Sequence, residues 1–169
     1  MGRVASDPAP SPGPYDPGPG RRLSIALERT LDAPMQRVWA VLRDYAQARP
    51  RILTEHFADY VIHQGGVGLG TVIGFELRIG RRRGSYLVAV EEPTPGRQLR
   101  ERDRSSALLT TWTLTPAGEG ERTLLHLAVD LRHPELNGLW ARTRARRALR
   151  RTYGRLLERL ADELAGDRT

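Results

Sequence analysis

The 169-residue sequence predicts an α+β fold in which one antiparallel sheet packs against a long C-terminal helix. Seven short segments have the apolar and polar alternation of half-buried strands. The connections between the last six segments are too short to contain crossover helices, so the strands should be antiparallel. Positions 134–165 then form one helical stretch, which is the only large partner against which the sheet could bury a face.

The elements follow one another in a simple order. Apolar residues at spacings of two and four from position 23 to position 31 predict the first strand. Asp32 is then a candidate cap, and Pro34 a first-turn residue, of a short helix. A second short helix is predicted at about 46–53. Six strands follow, at 57–63, 71–79, 85–91, 98–103, 108–114 and 123–131.

The N-terminal segment has a different composition. Half of positions 1–20 are proline or glycine, so this stretch cannot bury enough apolar area to offset its ordering entropy. We expect 1–22 to be a disordered tail, 23–165 to be one domain and 166–169 to be a short C-terminal tail. The first segment lacks the continuous apolar stretch of a secretory signal, which favours a cytoplasmic location.

Composition excludes several classes of site. The chain has no cysteine and no lysine, which excludes disulfides, thiolate nucleophiles, Schiff-base lysines and P-loop lysines. No apolar run approaches the roughly 18 residues of a spanning helix, so we expect no stable membrane insertion. The use of arginine alone, with abundant Gly, Pro and Ala, is typical of a GC-rich bacterial coding sequence.

The net charge of +7 suggests a polyanionic partner, but the basic excess is spread along the chain. Positions 21–133 hold 17 arginines against 13 acidic residues, and 134–165 hold eight against four. No aromatic stacking platform or recognition motif accompanies the charge. Nucleic acid is therefore not the partner that we expect.

Four short motifs lie in order between positions 31 and 116. They are LDAP at 31–34 with VW at 38–39, GVGLGTV at 66–72, VEEP at 90–93 with RQL at 97–99, and TWTLTP at 111–116. Together they resemble the SRPBCC superfamily, which includes START lipid-transfer domains, birch-pollen-allergen relatives, and polyketide cyclases and dehydrases. The resemblance implies a helix-grip fold: a curved seven-stranded antiparallel sheet around a long C-terminal helix, with two short helices after the first strand and an internal apolar cavity.

Strand alternation then indicates which side chains would line that cavity. One face of each central strand is predicted to point inward. For each residue the alternative is ordinary core packing. The candidates on the strands are Ile73, Phe75, Leu77, Tyr86, Val88, Val90, Leu99, Leu108, Thr110, Trp112, Leu125 and Leu127.

Glu101 is the most informative polar candidate because it shares a strand face with Leu99. If Leu99 points inward, Glu101 does too, and a buried carboxylate needs a partner. It would then be a candidate acid, base or ligand anchor, with Tyr86 as a second catalytic candidate. The alternative is that this strand lies at a wet rim, where Glu101 pairs with a neighbouring arginine.

The long helix adds a second set of cavity candidates. Extending the apolar stripe of its second half backwards places Arg142 and Arg146 on the gripping side of the helix, and Arg147 continues the apolar face of its first half. One or two of them could pair with a ligand carboxylate or with Glu101. The alternative is a solvated face with snorkelling stems. The helix candidates are Trp140, Arg142, Arg146, Arg147, Leu149 and Tyr153.

The resemblance implies binding or transport of a hydrophobic or amphipathic small molecule, such as a lipid, a polyketide or an isoprenoid-like compound. The main alternative is a polyketide cyclase or aromatase, a lyase-type enzyme in which Glu101, Tyr86 or a helix arginine handles protons and enolate charge. A ribosome- or RNA-associated protein is a further alternative. We expect no cofactor and no metal site, since the four histidines are scattered, and either a monomer or a dimer.

Overall fold

A computed structural model describes residues 21–80, 82–106, 108–133 and 139–166. These residues form seven strands, three α-helices and one 3₁₀ turn at Gly118–Gly120. The strands are β1 (Arg21–Leu31), β2 (Phe57–Gln64), β3 (Val72–Ile79), β4 (Arg82–Thr94), β5 (Gln98–Asp103), β6 (Leu109–Ala117) and β7 (Arg122–His133). The helices are α1 (Met35–Arg43), α2 (Ala48–Ile52) and α3 (Leu139–Gly166).

The strands form one sheet with the order β1-β7-β6-β5-β4-β3-β2. Every neighbouring pair is antiparallel. From β2 to β7 the strands follow one another through hairpins, whereas β1 joins the far edge by pairing with β7 from Arg21↔His133 to Leu31↔Thr123. The predicted α+β helix-grip architecture is confirmed.

The strands differ from the predicted segments mainly at their ends. β4 is longer at both ends than the predicted 85–91, because β3 pairs with it as far as Ile79↔Arg82 and β5 as far as Thr94↔Gln98. Hairpin ends are exposed and polar, so they carry little alternation that a sequence pattern could detect. Positions 134–138 of the predicted long helix and positions 1–20 of the predicted tail at 1–22 lie outside the described residues. Arg21 and Arg22, the last two residues of that predicted tail, belong instead to β1, because they pair with β7. At the other end, α3 extends to Gly166, one residue into the predicted C-terminal tail.

Irregular pairing at the β2 edge accompanies the curvature of the sheet. The β2–β3 register shifts twice, between Ala58 and Val61 and between Ile62 and Gln64. Asp59, inside the first irregularity, has a φ of 53°, in the left-handed region. Such bulges bend a strand and increase its twist, so this side of the sheet can fold over the helix.

The concave face of the sheet packs on the second half of α3. Seven α3 residues are buried at helical spacing: Leu149, Thr152, Tyr153, Leu156, Leu157, Leu160 and Leu164. The described residues from 139 to 148 include no buried side chain, so the first half of α3 is only partly covered. Of the described helices, none has the length and apolar character needed to cross a membrane.

The start of α1 is anchored by a strand rather than by a side-chain cap. Pro34 is the N-cap residue of α1, and no side chain caps the helix, so the expectation that Asp32 does so is wrong. The buried hydroxyl of Thr123 in β7 instead donates a 2.7 Å hydrogen bond to the carbonyl oxygen of Ala33. This bond ties the β1–α1 connection to β7.

Replacing Thr123 by valine should lower the free energy of unfolding by about 1–3 kcal/mol, because the buried Ala33 carbonyl loses its donor. Chemical denaturation of the two proteins measures the difference. The matched control is Thr115→Val, since Thr115 is exposed on β6. Equal effects of the two substitutions would show that the Thr123 hydrogen bond contributes nothing specific.

Candidate functional site

An ion pair between α2 and β5 lies in the protein interior. Glu101 is only 8% exposed and Arg49 only 3%. Oε1 of Glu101 accepts hydrogen bonds from the guanidinium of Arg49 and, at 2.7 Å, from the hydroxyl of Tyr45. Glu101 points to the inner face of the sheet, on the same side as the fully buried Leu99. Both charges are therefore removed from water and satisfied by each other.

A tight turn positions the two α-side members of this cluster. The side chain of Asp44 accepts hydrogen bonds from the backbone N–H groups of Ala46 and Gln47, which is an Asx-type turn. The chain then enters α2, and the Arg49 N–H donates to the Asp44 carbonyl oxygen at 2.7 Å. This turn brings the side chains of Tyr45 and Arg49 to the same carboxylate oxygen of Glu101.

Aromatic rings surround the buried guanidinium. The Cζ atom of Arg49 lies 4.6 Å from the centroid of the Trp112 ring and 5.2 Å from that of Tyr45. Both distances are within the range of cation–π attraction. Burial alone would lower the pKa of Arg49, but the Glu101 carboxylate together with Tyr45, Tyr60 and Tyr153 outweighs burial, and the pKa is raised. Arg49 therefore remains a cation inside the protein.

Three tyrosines of the cluster are held in the protonated form. Burial, and then the Glu101 charge, raise the pKa of Tyr45 well above its ordinary value. Burial also raises the pKa of Tyr153, although a hydrogen bond with Thr110 acts in the opposite direction. Burial likewise raises the pKa of Tyr60, whose hydroxyl donates to the Tyr45 carbonyl at 2.9 Å. All three hydroxyl groups are therefore hydrogen-bond donors at neutral pH.

A small internal cavity adjoins the cluster. Its volume is about 20 Å³, which is room for about one water molecule. Arg49, Glu101 and Tyr153 form part of its wall, together with apolar side chains such as Ile73 and Leu156. We call this space the inner cavity.

Two residues of the inner-cavity wall have a hydrogen-bonding group without a partner among the described residues. The indole of Trp112 lines the cavity and is 1% exposed, yet its Nε1–H has no acceptor among the described residues. The second carboxylate oxygen of Glu101, Oε2, accepts no hydrogen bond from the described residues. A buried polar group without a partner costs about 1–3 kcal/mol, so this donor favours an oxygen acceptor beside it.

A second space of about 40 Å³ opens between the β3–β4 hairpin and the first half of α3. We call it the entrance pocket. Ala145 of α3 faces Leu77, Ile79 and Tyr86 across it. The walls are mainly apolar, and Arg83 lies at the rim beside the hairpin.

A row of four aromatic rings connects the two spaces. Tyr86, in the entrance-pocket wall, lies 5.7 Å from Phe75, measured between ring centroids. Phe75 lies 5.5 Å from Phe57, and Phe57 lies 5.7 Å from Tyr153 in an edge-to-face arrangement. The row runs from the entrance pocket to the polar cluster, and its rings touch at distances typical of favourable aromatic pairs.

The structure divides the sequence candidates into three groups. The inner cavity is lined by Ile73, Phe75, Glu101, Trp112 and Tyr153, and the entrance pocket by Leu77 and Tyr86. A second group is buried but lines neither space: Val88, Val90, Leu99, Leu108, Thr110, Leu125, Leu127 and Leu149. The third group consists of the α3 residues from 140 to 147.

The structure does not bring these α3 candidates into either space. Trp140 is 83% exposed, Arg146 and Arg147 are exposed, and Arg142 is half-buried outside both walls. The core-facing side of this half of α3 is occupied by Ala145, which packs against the core. The backward extension of the apolar stripe is therefore wrong for Arg146, which is exposed as Arg147 is, and Arg142 lines neither space.

The sequence interpretation missed three members of the cluster: Tyr45 and Arg49 on the α side, and Tyr60 on β2. A signal for Arg49 existed, because the apolar residues Tyr45, Ala48 and Ile52 have the spacing of one helical face and Arg49 lies between them. An arginine inside such a stripe needs a buried partner. Nothing in the local pattern identifies Glu101, 52 positions away, as that partner.

The chemistry of the cluster suits the oxygen-bearing end of an organic molecule. Arg49, Trp112 and Tyr153 offer donors, Glu101 offers an acceptor, and the surrounding walls are apolar. In the described part of the chain, no three His, Asp or Glu side chains group as a metal ion would require.

Comparison with known proteins agrees with this architecture. Positions 22–165 match the family described as polyketide cyclase / dehydrase and lipid transport. The KanY protein, solved by NMR, is 27% identical with a TM-score of 0.74, over 86% of this chain and 99% of KanY. A START superfamily protein from Mycobacterium smegmatis is 14% identical with a TM-score of 0.68, over 85% of this chain and 97% of that protein.

The Zhui aromatase/cyclase from Streptomyces sp. R1128 is 19% identical with a TM-score of 0.60, over 87% of this chain and 93% of Zhui. No curated protein sequence matches the chain. The family match covers almost the whole described domain, from β1 to the end of α3. The chain therefore belongs to the polyketide cyclase/dehydrase and lipid transport family, a member of the SRPBCC superfamily with a START-like fold.

Proposed function

We propose that the protein binds an amphipathic small molecule, with an apolar body along the aromatic row and an oxygen-bearing end at the Arg49–Glu101 cluster. The observation that carries this proposal is the buried Nε1–H of Trp112, a residue of the inner-cavity wall, which has no acceptor among the described residues. A carbonyl, hydroxyl or carboxylate oxygen beside it would satisfy that donor. The ligand class is that of lipids, polyketides and isoprenoid-like compounds.

The charges of the cluster support recognition of a polar but uncharged end. Arg49 is already neutralised by Glu101, so a ligand carboxylate would have to compete for a guanidinium that is committed to its partner. A hydroxyl or carbonyl group could instead use the Trp112 donor and the free Oε2 of Glu101 without separating the pair. Specificity would come from these few groups and affinity from apolar burial.

The size of the inner cavity requires the protein to open when it binds. Its volume of about 20 Å³ is far below the roughly 300 Å³ or more of pockets that hold small molecules. The entrance pocket lies where α3 has no buried residue among those described, so separation of α3 from the hairpin breaks the fewest packing contacts there. Displacement of Tyr86 and Phe75 would then join the two spaces.

Binding is tested with the uncharged fluorescent probe 6-propionyl-2-(dimethylamino)naphthalene, whose ring system is apolar and whose ketone oxygen is an acceptor. We expect saturable binding by the native protein and a loss of about 5- to 10-fold in affinity for Trp112→Phe, the equivalent of one hydrogen bond of about 1 kcal/mol. Extraction of natively purified protein, followed by mass spectrometry, should also release a co-purified amphipathic compound.

The matched control is Trp39→Phe, because Trp39 packs on the core and lines neither space. That variant should bind the probe within about twofold of the native protein, since it keeps every group of the inner-cavity wall. Equal losses of probe affinity in the two variants would show that the Trp112 N–H has no specific role in binding. A native protein that carries no compound and binds no probe would overturn the binding function itself.

A cyclase or aromatase function is the second candidate, and one observation favours it. Glu101, whose Oε2 accepts no hydrogen bond from the described residues, and Tyr153, whose hydroxyl is protonated, both line the inner cavity, as a base and an acid would. In that case Tyr153→Phe, which leaves the Arg49–Glu101 pair and the Trp112 donor in place, should retain probe binding but lose conversion of a poly-β-ketone substrate to a ring product. A native protein that binds such a substrate without converting it would exclude this candidate.

A further inference from the structure

Basic residues are concentrated in the first half of α3 and acidic residues near its end, which is the reverse of the arrangement that stabilises a helix. From position 139 to 157 the helix has seven arginines and no acidic residue, whereas 158–166 holds three acidic residues and one arginine. A helix macrodipole favours acidic side chains near the N-terminus and basic ones near the C-terminus. The first turn of α3 has no acidic residue, and its last turn has no basic residue. Helix stability therefore does not explain the basic first half.

The basic residues and one tryptophan share an outward face. Trp140, Arg144, Arg147 and Arg151 follow at spacings of four, three and four, so they form one stripe opposite the buried side of α3. All four are exposed. We call these four residues the arginine face. At a rise of 1.5 Å per residue it is about 16 Å long.

The arginines of this face are not used within the described part of the protein. Arg155 and Arg159, farther along the helix, both pair with Glu55, Arg155 at 2.9 Å. For Arg144, Arg147 and Arg151 the described residues supply no ion pair. Their charge is therefore available to an external anion.

Two large apolar side chains lie at the end of this face. Trp140 is 83% exposed and its neighbour Leu139 75% exposed, which makes them the most exposed large apolar residues of the described chain. Tryptophan prefers the head-group level of a bilayer, with its ring partly in the apolar phase. Leucine beside it gains from hydrocarbon but not from stacking on nucleic-acid bases.

We propose that the arginine face docks on a bilayer that contains anionic phospholipids, with Trp140 and Leu139 at the head-group level. Guanidinium groups bind phosphate oxygens with two parallel hydrogen bonds, and a row of three fits a row of lipid head groups. The helix lies along the surface rather than across the membrane. The entrance pocket lies on the other side of α3, at Ala145. Docking would therefore bring it within about one helix diameter of the lipids.

The test is co-sedimentation with vesicles of phosphatidylcholine alone and with about 30% phosphatidylglycerol, at physiological salt. The protein should bind only the anionic vesicles. A triple variant should bind these vesicles about 100-fold more weakly, because each arginine near an anionic surface contributes about 5-fold in affinity. Its substitutions are Arg144→Gln, Arg147→Gln and Arg151→Gln. The assay needs no bound ligand, so its result is independent of the proposed small-molecule function.

The matched control combines Arg97→Gln, Arg104→Gln and Arg122→Gln, which removes the same charge from other exposed positions. It should change vesicle binding by less than about threefold, as expected for charges away from the contact. Trp140→Ala should weaken binding about 10-fold, whereas Leu69→Ala, at another exposed apolar residue, should have no effect.

Three results would overturn the proposal. The first is no binding to either vesicle, and the second is an equal loss in the two triple variants, which would indicate net charge alone. The third is retention of a single-stranded RNA oligonucleotide that only the α3 triple variant loses, without vesicle binding. That last result would make the arginine face a nucleic-acid surface with a steep salt dependence.

Discussion

Replacing Arg49 by methionine should destabilise the protein by about 3–5 kcal/mol, because Glu101 would be left as a buried carboxylate without its charged partner. The substitution keeps the length and the apolar stem of the side chain, so little packing volume is lost. It removes the ion pair with Glu101, the hydrogen bond to the Leu42 carbonyl and the cation–π contact with Trp112. The buried Glu101 carboxylate then keeps only the hydrogen bond from Tyr45, and the Leu42 carbonyl loses its Arg49 donor.

The control for this substitution lies two residues away on the same helix. Arg51 also pairs with a glutamate, Glu163, at 2.7 Å, but its side chain is 53% exposed. Arg51→Met should therefore cost no more than about 1 kcal/mol, as exposed ion pairs do. Urea denaturation of both variants gives the comparison. Similar losses would mean that burial does not amplify the Arg49–Glu101 interaction.

A double substitution separates the net contribution of the pair from the penalty of breaking it. Arg49→Met with Glu101→Leu removes both charges and fills the space with apolar groups, which often restores or even raises stability. We expect the double variant to recover at least half of the loss. A double variant as unstable as the single one would locate the loss in side-chain packing, not in an unpaired charge.

The sheet could be predicted from the sequence because its information is local. Alternation within each strand gives its inner face, and short connections force antiparallel neighbours, so the order from β2 to β7 follows. Strand ends were less accurate, since β4 is extended by pairing with β3 and β5 rather than by its own pattern.

Only part of the candidate site could be predicted, because the sequence pattern identifies local features and not contacts between distant positions. Glu101 could be placed inward because Leu99 shares its strand face, but its partner belongs to a short helix 52 positions earlier. Arg142 and Arg146 were assigned to the cavity by extending the apolar stripe of the second half of α3, and Arg147 by continuing the apolar face of the first half. Extrapolation failed because α3 continues beyond the surface that buries its second half, and small Ala145 takes the inner position.

Stability should fall steeply in alkaline solution, because Tyr45 and Tyr153 keep their protons in the folded protein. Burial raises the pKa of both phenols, with a further increase from Glu101 at Tyr45 and an opposing hydrogen bond from Thr110 at Tyr153. Below about pH 10 both states hold these protons, and the stabilising contribution is complete. Above it the unfolded chain releases them while the folded protein does not, so stability is lost as the pH rises toward the folded pKa values.

Each of these tyrosines should contribute a slope of up to about 1.4 kcal/mol per pH unit, observed as the free energy of unfolding between about pH 9 and about pH 12. Tyr153→Phe should reduce the slope by that amount, and tyrosinate absorbance should appear together with unfolding. Tyr15→Phe is the control, because Tyr15 lies in the predicted tail and would ionise alike in both states. If Tyr153→Phe leaves the slope unchanged, or if all tyrosines ionise before the protein unfolds, the phenols of the cluster are not held in their protonated form by the fold.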